Sequence, residues 1–550
     1  MRVSRSTTLR STVLFAGAAV LAATVSGCSG ASSVSGKSPR GGAYQISADT
    51  PAAKGPIPSF TWSLFAEPYS LDYTQAYDYP PNTVLANVCE QLFRTEPDMR
   101  IVPSLALKST HPDPLTWVYT LRPEVKFHSG ETMTADDVVA SLKRHLDPRV
   151  GSAWDSTFRN VASITKTGPL EVTIKLSKPD VLFNEMLAAS PGTIESAAFL
   201  AKAGRDYGSP KGGVDCTGPY ALDKWAQGDS ITLKKNPSYW DTSLTPEADS
   251  VKFVFIPDPA ARTNAWLSGT VDGGYLVPST AFAQLRSASQ GKLYFGPNTA
   301  ASDLAVMNLK GTLSELKVRQ ALSMALDRKS IIKAAAGGVG LPAKAPAAQG
   351  AWLTVPERTA HYFDALPDPV YDVDGAKKLI QQAKATGKKV VMATSTLAPE
   401  ITVVANAVQA AGRQIGLDVQ LKPVSPDGYS ALFTDPHARA DIDLVFTNGY
   451  INSPDPLEFY QSFRTGDFAN YGKYSNPDYD ALYDKAAATD DPAARADLTA
   501  KLQEITVHDL PGIPIYEAPH SVFLGSRITG APAGIAQLYY PWAAKIGSAN

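Results

Sequence analysis

Cysteine and histidine are scarce in this chain. Three Cys, at positions 28, 89 and 216, and seven His are spread over 550 residues. No cysteine pair has zinc spacing and no His-Glu-x-x-His occurs, so no metal centre is expected. His128 sits at a turn and His145 on a helix, where they read as structural or surface residues. The Gly-x-Ser-x-Gly nucleophile elbow is also missing. A triad can be dispersed along a chain, but nothing in the pattern points to one, and the chain reads as non-enzymatic and free of cofactor. Net charge is scarce too: 51 basic against 53 acidic residues leaves −2, which gives no reason to expect nucleic acid as a partner. Only one long apolar run exists, Val13 to Ala23, and it is short for a membrane-spanning helix.

What is present is an ordinary globular composition, 44% hydrophobic and 19% charged, in a chain long enough for two or three domains or lobes. The N-terminus has an address. Arg2, Arg5 and Arg10 form a basic start, the apolar run follows, and Val25-Ser26-Gly27-Cys28 closes it. Small residues before a cysteine resemble a bacterial lipobox, which implies cleavage after residue 27 and a diacylglycerol on Cys28. Loss of residues 1–27 removes three arginines and no acid, leaving 48 basic against 53 acidic residues, or −5. Residues 28–58 are rich in Ser, Gly, Ala and Pro and read as a flexible tether. Within it, Gly30 to Ser38 is a near miss to a phosphate-binding loop, with one spacer too many and no strand before it. Cys89 and Cys216 remain; in an exported chain they could pair, or could be two buried thiols.

The most informative stretch runs from Trp117 to Leu146. Trp117, Tyr119 and Leu121 alternate as in a strand, and Val125-Lys126-Phe127 reads as a second, short one. After the Ser129-Gly130 turn, Thr134 is placed to cap a helix whose first turn carries Asp136 and Asp137. Ala135, Val138, Leu142 and Leu146 fall on one face. Further on, residues 388–447 alternate strand, helix, strand, short helix, strand, which argues for a largely parallel sheet in an α/β lobe.

The string Leu-Arg-x-x-Val-Lys-Phe-His-Ser-Gly-Glu-x-x-Thr-Ala-Asp-Asp-Val, residues 121–138, resembles the hallmark segment of the family 5 extracellular solute-binding proteins, the peptide receptors of ABC importers and their relatives. Other blocks resemble that family in the right order. They include Glu67-Pro68 with Leu71-Asp72; Cys216-Thr-Gly-Pro-Tyr220 with Asn236-Pro-Ser-Tyr-Trp240; Val318-Arg-Gln-Ala321 with Asp327-Arg328; and Leu510-Pro-Gly-Ile-Pro-Ile-Tyr516. The resemblance covers nearly all of residues 59–550.

The resemblance implies an α/β fold of the two-lobed periplasmic-binding-protein type (type II, cluster C), with an extra subdomain in the first lobe. It places the first lobe at 59–90, 210–305 and 508–550, the subdomain at 91–209, and the second lobe at 306–507. It implies a monomer on the extracytoplasmic face, held to the membrane by its lipid, serving permease subunits and a cytoplasmic ATPase. It also implies ligand contacts in three places: the loop Ala66, Glu67, Pro68; Trp154; and the loop Asn448, Gly449, Tyr450, Asn452, Ser453, Asp455. Peptide-binding members hold the ligand's ammonium with an Asp where this chain has Asn452, or Ser453 in a loop one residue shorter. Asp455 or Glu67 would have to substitute, or the ligand lacks an ammonium there. Asp455 also reads as a turn residue before Pro456.

Overall fold

The structure is a computed structural model that describes residues 44–550. The signal segment, Cys28 and the first part of the expected tether lie outside the described residues. Two mixed sheets organise the chain. The first has seven strands in the order Tyr220–Ala226, Ser230–Lys235, Ala248–Phe255, Ile57–Leu64, Gly273–Tyr275, His520–Gly525, Gly291–Gly296. Ile57–Leu64 runs parallel to both of its neighbours, and the other pairings are antiparallel. The second sheet has six strands, in the order Leu341–Pro342, Gly512–Glu517, Ala301–Val306, Leu444–Gly449, Lys389–Thr394, Asp418–Pro423. Its Lys389–Thr394 strand is parallel to both neighbours, as the strand–helix–strand pattern requires; its other three pairings are antiparallel.

A four-stranded antiparallel sheet forms the extra subdomain, in the order Ala106–Asp113, Thr116–Leu121, Glu171–Leu176, Val161–Gly168. The helix Ala135–Lys143 packs against it, entered through a capping box in which Thr134 and Asp137 exchange hydrogen bonds. Ala135, Val138 and Leu142 are buried as the periodicity demands, whereas Leu146 lies beyond the helix in a 3₁₀ turn and is largely exposed. Val125 to Phe127 makes a single bridge, Lys126 to Thr132, in place of the expected strand.

The chain passes between the two large sheets twice, at residues 297–300 and 518–519. The crossings are side by side. Gly296 pairs with His520 in the first sheet, Ala301 pairs with Glu517 in the second, and the Asn298 amide donates to Ala518 O at 2.9 Å between them. Two short linkers thus run side by side between the two sheets.

Three boundaries differ from those expected. Gly512–Glu517 adds to the second lobe's sheet, so the chain returns to the first lobe only at His520. Ala301–Val306 likewise begins the second lobe ahead of residue 306. Residues 44–58 are not free tether: Ser47, Thr50 and Lys54 donate backbone hydrogen bonds to Phe295, Ala531 and Ser548, and Ile57 already opens a strand. Small and polar side chains gave no apolar period there, yet the backbone alone supplies these bonds.

The first lobe's core centres on an aromatic knot. Trp62 lies 4.6 Å from Trp542 and 4.9 Å from Tyr275, centroid to centroid, and the Trp542 indole donates to Thr83 O. Cys89 and Cys216 are joined in a disulfide with a Cα separation of 4.8 Å, both side chains buried in this core. Glu90 beside it accepts from Thr217, Tyr239 and Trp240, so its buried carboxylate is answered by neutral donors.

Candidate functional site: the seam between the lobes

The seam is built from loops at the carboxyl ends of strands, where α/β folds present ligand sites. Ile57–Leu64 delivers the loop 65–78, and Leu444–Gly449 delivers the loop 450–456. The two loops meet. The Tyr450 phenol donates to Tyr77 O at 2.9 Å, and its ring lies 5.1 Å from that of Tyr79. Asn452 accepts a short hydrogen bond from the Tyr539 phenol of the first lobe. Two arginines also reach carboxyl groups across the seam. Arg159 meets Asp467 at 2.6 Å, and Arg495 meets Glu185 at 3.0 Å. An apolar cluster of Met99, Ala189, Ile535 and Tyr539, flanked by Tyr79, Leu353 and Tyr450, completes the contact.

Each expected ligand residue has a definite place, and several are already engaged. Glu67 accepts from the Trp225 indole at 2.7 Å and from Gly228 N at 3.0 Å, so it secures a hairpin within the first lobe instead of facing the seam. Ala66 and Pro68 flank it. Trp154 is 8% exposed and donates to Tyr73 O, bracing the loop that leads to the seam; its ring is a support, not a wall open to ligand. Asn448 is exposed and accepts from Ser302 at 2.6 Å. A Cβ on Gly449 would stand 3.1 Å from the Phe459 ring, a tight but not forbidden approach.

The loop 452–455 is held from behind. Glu458 accepts both the backbone N–H and the side-chain amide of Asn452 and the N–H of Ser453, at 2.6 to 3.0 Å. Burial raises the Glu458 carboxyl above its ordinary range, with those donors pulling it back. Asp455 is 2% exposed, pairs with Arg495 at 2.7 Å and caps Leu457 N, so it is not a spare anchor for a ligand ammonium. Glu185 and Asp455 thus share one guanidinium. Burial first and the Asp455 charge second push Glu185 upward, against the pull of Arg495.

Sequence reasoning missed Tyr79, Glu185, Glu458, Arg495 and Tyr539. Glu458 carried a readable signal, an acid in the first turn of a helix just after the loop. The rest come together only through long-range packing.

Among the described residues, nothing at the seam resembles a catalytic centre. The nearest candidate pair elsewhere is His145 with Ser152, 2.7 Å apart. Both are buried, the imidazole stacks on Phe158, and burial drives its pKa down to about 3. No group of three or more metal-ligating side chains occurs among the described residues. No described helix is long and apolar enough to cross a membrane.

Comparison with known proteins agrees with this architecture. The family model of bacterial extracellular solute-binding proteins, family 5 (middle) matches residues 100–471, and the chain belongs to that family. It is a solute-binding protein of ABC importers and not an enzyme. A curated relative, the glutathione-binding protein GsiB of Escherichia coli O1:K1, is 26% identical over 463 residues, 81% of this chain and 86% of that one. Among solved structures, the binding protein AgaA of A. tumefaciens in complex with agropinic acid superposes with a TM-score of 0.79 at 24% identity, covering 89% of this chain and 98% of that one. DppA of Helicobacter pylori in complex with the peptide STSA gives 0.78 at 21% identity, covering 90% and 99%. These structures share the two-lobed fold.

Proposed function

We propose that the protein is a lipid-anchored receptor on the extracytoplasmic face that captures peptides by closing its lobes and hands them to an ABC permease driven by a cytoplasmic ATPase. The observation that carries this reading is the seam. Both lobes supply polar and aromatic groups to it, and the chain crosses between them only through two adjacent short linkers. A solute that touches both lobes then favours the closed form. Peptides suit the family, and GsiB, named for glutathione, binds a tripeptide. Lipidation at Cys28 would tie the receptor to the bilayer, with residues 29–43 as the remaining tether.

The test is native mass spectrometry of the chain from Ser29 onward, purified without refolding and titrated with a library of di- to pentapeptides and a panel of oligosaccharides. Capture of peptides supports the assignment. Capture of sugars with peptides ignored overturns the peptide assignment and leaves the receptor role in place.

A further inference from the structure

The two lobes also touch beside the crossings. The helix Arg328–Ala335 belongs to the second lobe, whose core includes its Ile331, Ile332 and Ala335. It runs out into Ala336-Gly337-Gly338-Val339-Gly340, and the chain then joins the second sheet, where Leu341 pairs with Glu517. Val339 does not enter that core. It is 2% exposed and packs into the first lobe's cluster of Val277, Ala281, Phe282 and Phe295. The Ser279 hydroxyl of the first lobe donates to Ala335 O at 2.7 Å. The loop follows a path that glycine takes without strain, with φ +59° at Gly337 and +145° at Gly340. A Cβ on Gly337 would stand 2.8 Å from Ser279 O, and one on Gly340 would stand 2.7 Å from Glu517 O. An apolar knob on a glycine loop is therefore seated in a socket of the other lobe.

The socket lies next to both crossings. Phe295 pairs with Ser521 in the first sheet and stands two residues before the crossing 297–300, at most about 7 Å along the chain. Glu517, the partner of Leu341, is the last residue before the crossing 518–519. The N-terminal arm packs on the socket as well: the Tyr44 ring lies 5.3 Å from that of Phe295, and Ile46 bridges to Phe295. When one body rotates against another, each point moves in proportion to its distance from the axis. Groups beside the crossings stay together while remote groups separate. Leu182 is the remote counterpart. It comes from the extra subdomain, is 3% exposed, and lies in a cluster of second-lobe residues that includes Tyr460, Tyr479 and Tyr483.

We infer that Val339 and its glycine loop form a pivot, a third and non-covalent attachment about which the lobes rotate, kept whether the seam is open or shut. The inference rests on the closing motion proposed above. Two strands side by side can bend and also twist. A third contact beside them resists the twist, so the lobes close along one path and the loops carrying Tyr77 and Tyr450 meet in register. Apolar packing has no preferred direction, which lets the knob turn in its socket without breaking a hydrogen bond.

Thiol labelling at two buried positions tests the pivot. In the chain from Ser29 onward Cys89 and Cys216 are joined, so an introduced cysteine is the one free thiol. Val339→Cys and Leu182→Cys are made separately, since cysteine packs as a small apolar side chain. Each is treated with a maleimide, with and without the peptide library. Without solute the thiol at position 182 reacts, and the thiol at position 339 reacts at least about tenfold more slowly, as a contact that stays shut requires. With peptide bound, the rate at position 182 falls and the rate at position 339 does not change. Equal rates at the two positions, or protection of position 339 by peptide, overturn the pivot and leave capture by closure standing. Reaction at position 182 that peptides do not slow, with position 339 protected throughout, upholds the pivot and overturns peptide capture. If neither thiol reacts without solute, the lobes do not part, and closure and pivot fall together. Two alanine variants give a second readout. Gly337 and Gly338 have similar φ, +59° and +75°, but only a Cβ at 337 meets the first lobe; at 338 nothing lies within 4 Å. Gly337→Ala therefore displaces the spin-label distance between Lys224 and Gln420 more than Gly338→Ala does, and equal displacement overturns the pivot.

Discussion

Replacing Arg495 with Met separates the stability of the second lobe from the closing of the seam. The Arg495 guanidinium is held on every side. Nε meets Asp455 at 2.7 Å, Nη2 meets Glu185 at 3.0 Å, and Nη1 donates to the carbonyls of Thr489 and Asp490. The Arg495 and Asp455 side chains are each 3% exposed. Met keeps much of the volume and removes the charge, stranding Asp455 inside the lobe; breaking one side of a buried pair costs about 3–5 kcal/mol. With a denaturant slope near 2 kcal/mol per M, the urea midpoint of the second lobe falls by about 2 M. Tryptophan fluorescence follows the transition, because Trp352 is buried in the cluster that also contains Leu457 and Leu502. Glu185→Gln is the control: it alters the group across the seam and leaves Asp455 paired, so the midpoint of the second lobe moves little. A midpoint in R495M within about 0.5 M of wild type, which is about 1 kcal/mol at that slope, would refute the buried pairing.

Two further outcomes follow from the same geometry. Under the proposed closure, affinity weakens as pH rises from the ordinary carboxyl value near 4.5 towards about 8, because burial and the Asp455 charge raise the Glu185 carboxyl in the seam against the pull of Arg495. The sign follows from the raised pKa: below that window Glu185 is neutral in both states and costs nothing, and within it the closed state resists losing the proton. Asp455, Glu458 and Arg495 face the same group, so the check is solute affinity against pH in wild type and in Glu185→Gln, where this part of the slope vanishes. The paired variant Cys89→Ser, Cys216→Ser destabilises the first lobe, since the bridge closes a loop of sequence separation 127; loop-closure entropy gives about 5 kcal/mol and measured losses run about 2–5. An unchanged melting profile with dithiothreitol would contradict that.

Local chemistry made part of this protein legible from sequence. Thr134 with Asp137 announced a capped helix, and the apolar residues of Lys389–Thr394 and Pro399–Gln414 announced a strand and helix of a parallel unit. Where the chain depends on distant pairing, the pattern was silent. Gly512–Glu517 reads as a strand from its residues, but only its partner Ala301–Val306 decides which lobe owns it. The segment before Ile57 shows no apolar period, yet backbone hydrogen bonds and the Thr50 hydroxyl tie it to the first lobe.

The site shows the same division. The loop 448–455 does reach the seam, through Tyr450 and Asn452. Glu67, Trp154 and Asp455 carry side chains suited to ligand contact, yet each is engaged by a partner far away in sequence: Trp225, Tyr73 and Arg495.

The central claim is that solute draws the lobes together. It is tested most directly by double electron–electron resonance between spin labels at Lys224, on the outer strand of the first sheet, and Gln420, on the outer strand of the second, both exposed positions. Without solute the distribution should be broad and include distances longer than that of the closed structure. With the peptide library it should collapse to one short distance matching the sealed seam. A distribution that stays the same while peptide is bound would contradict capture by closure.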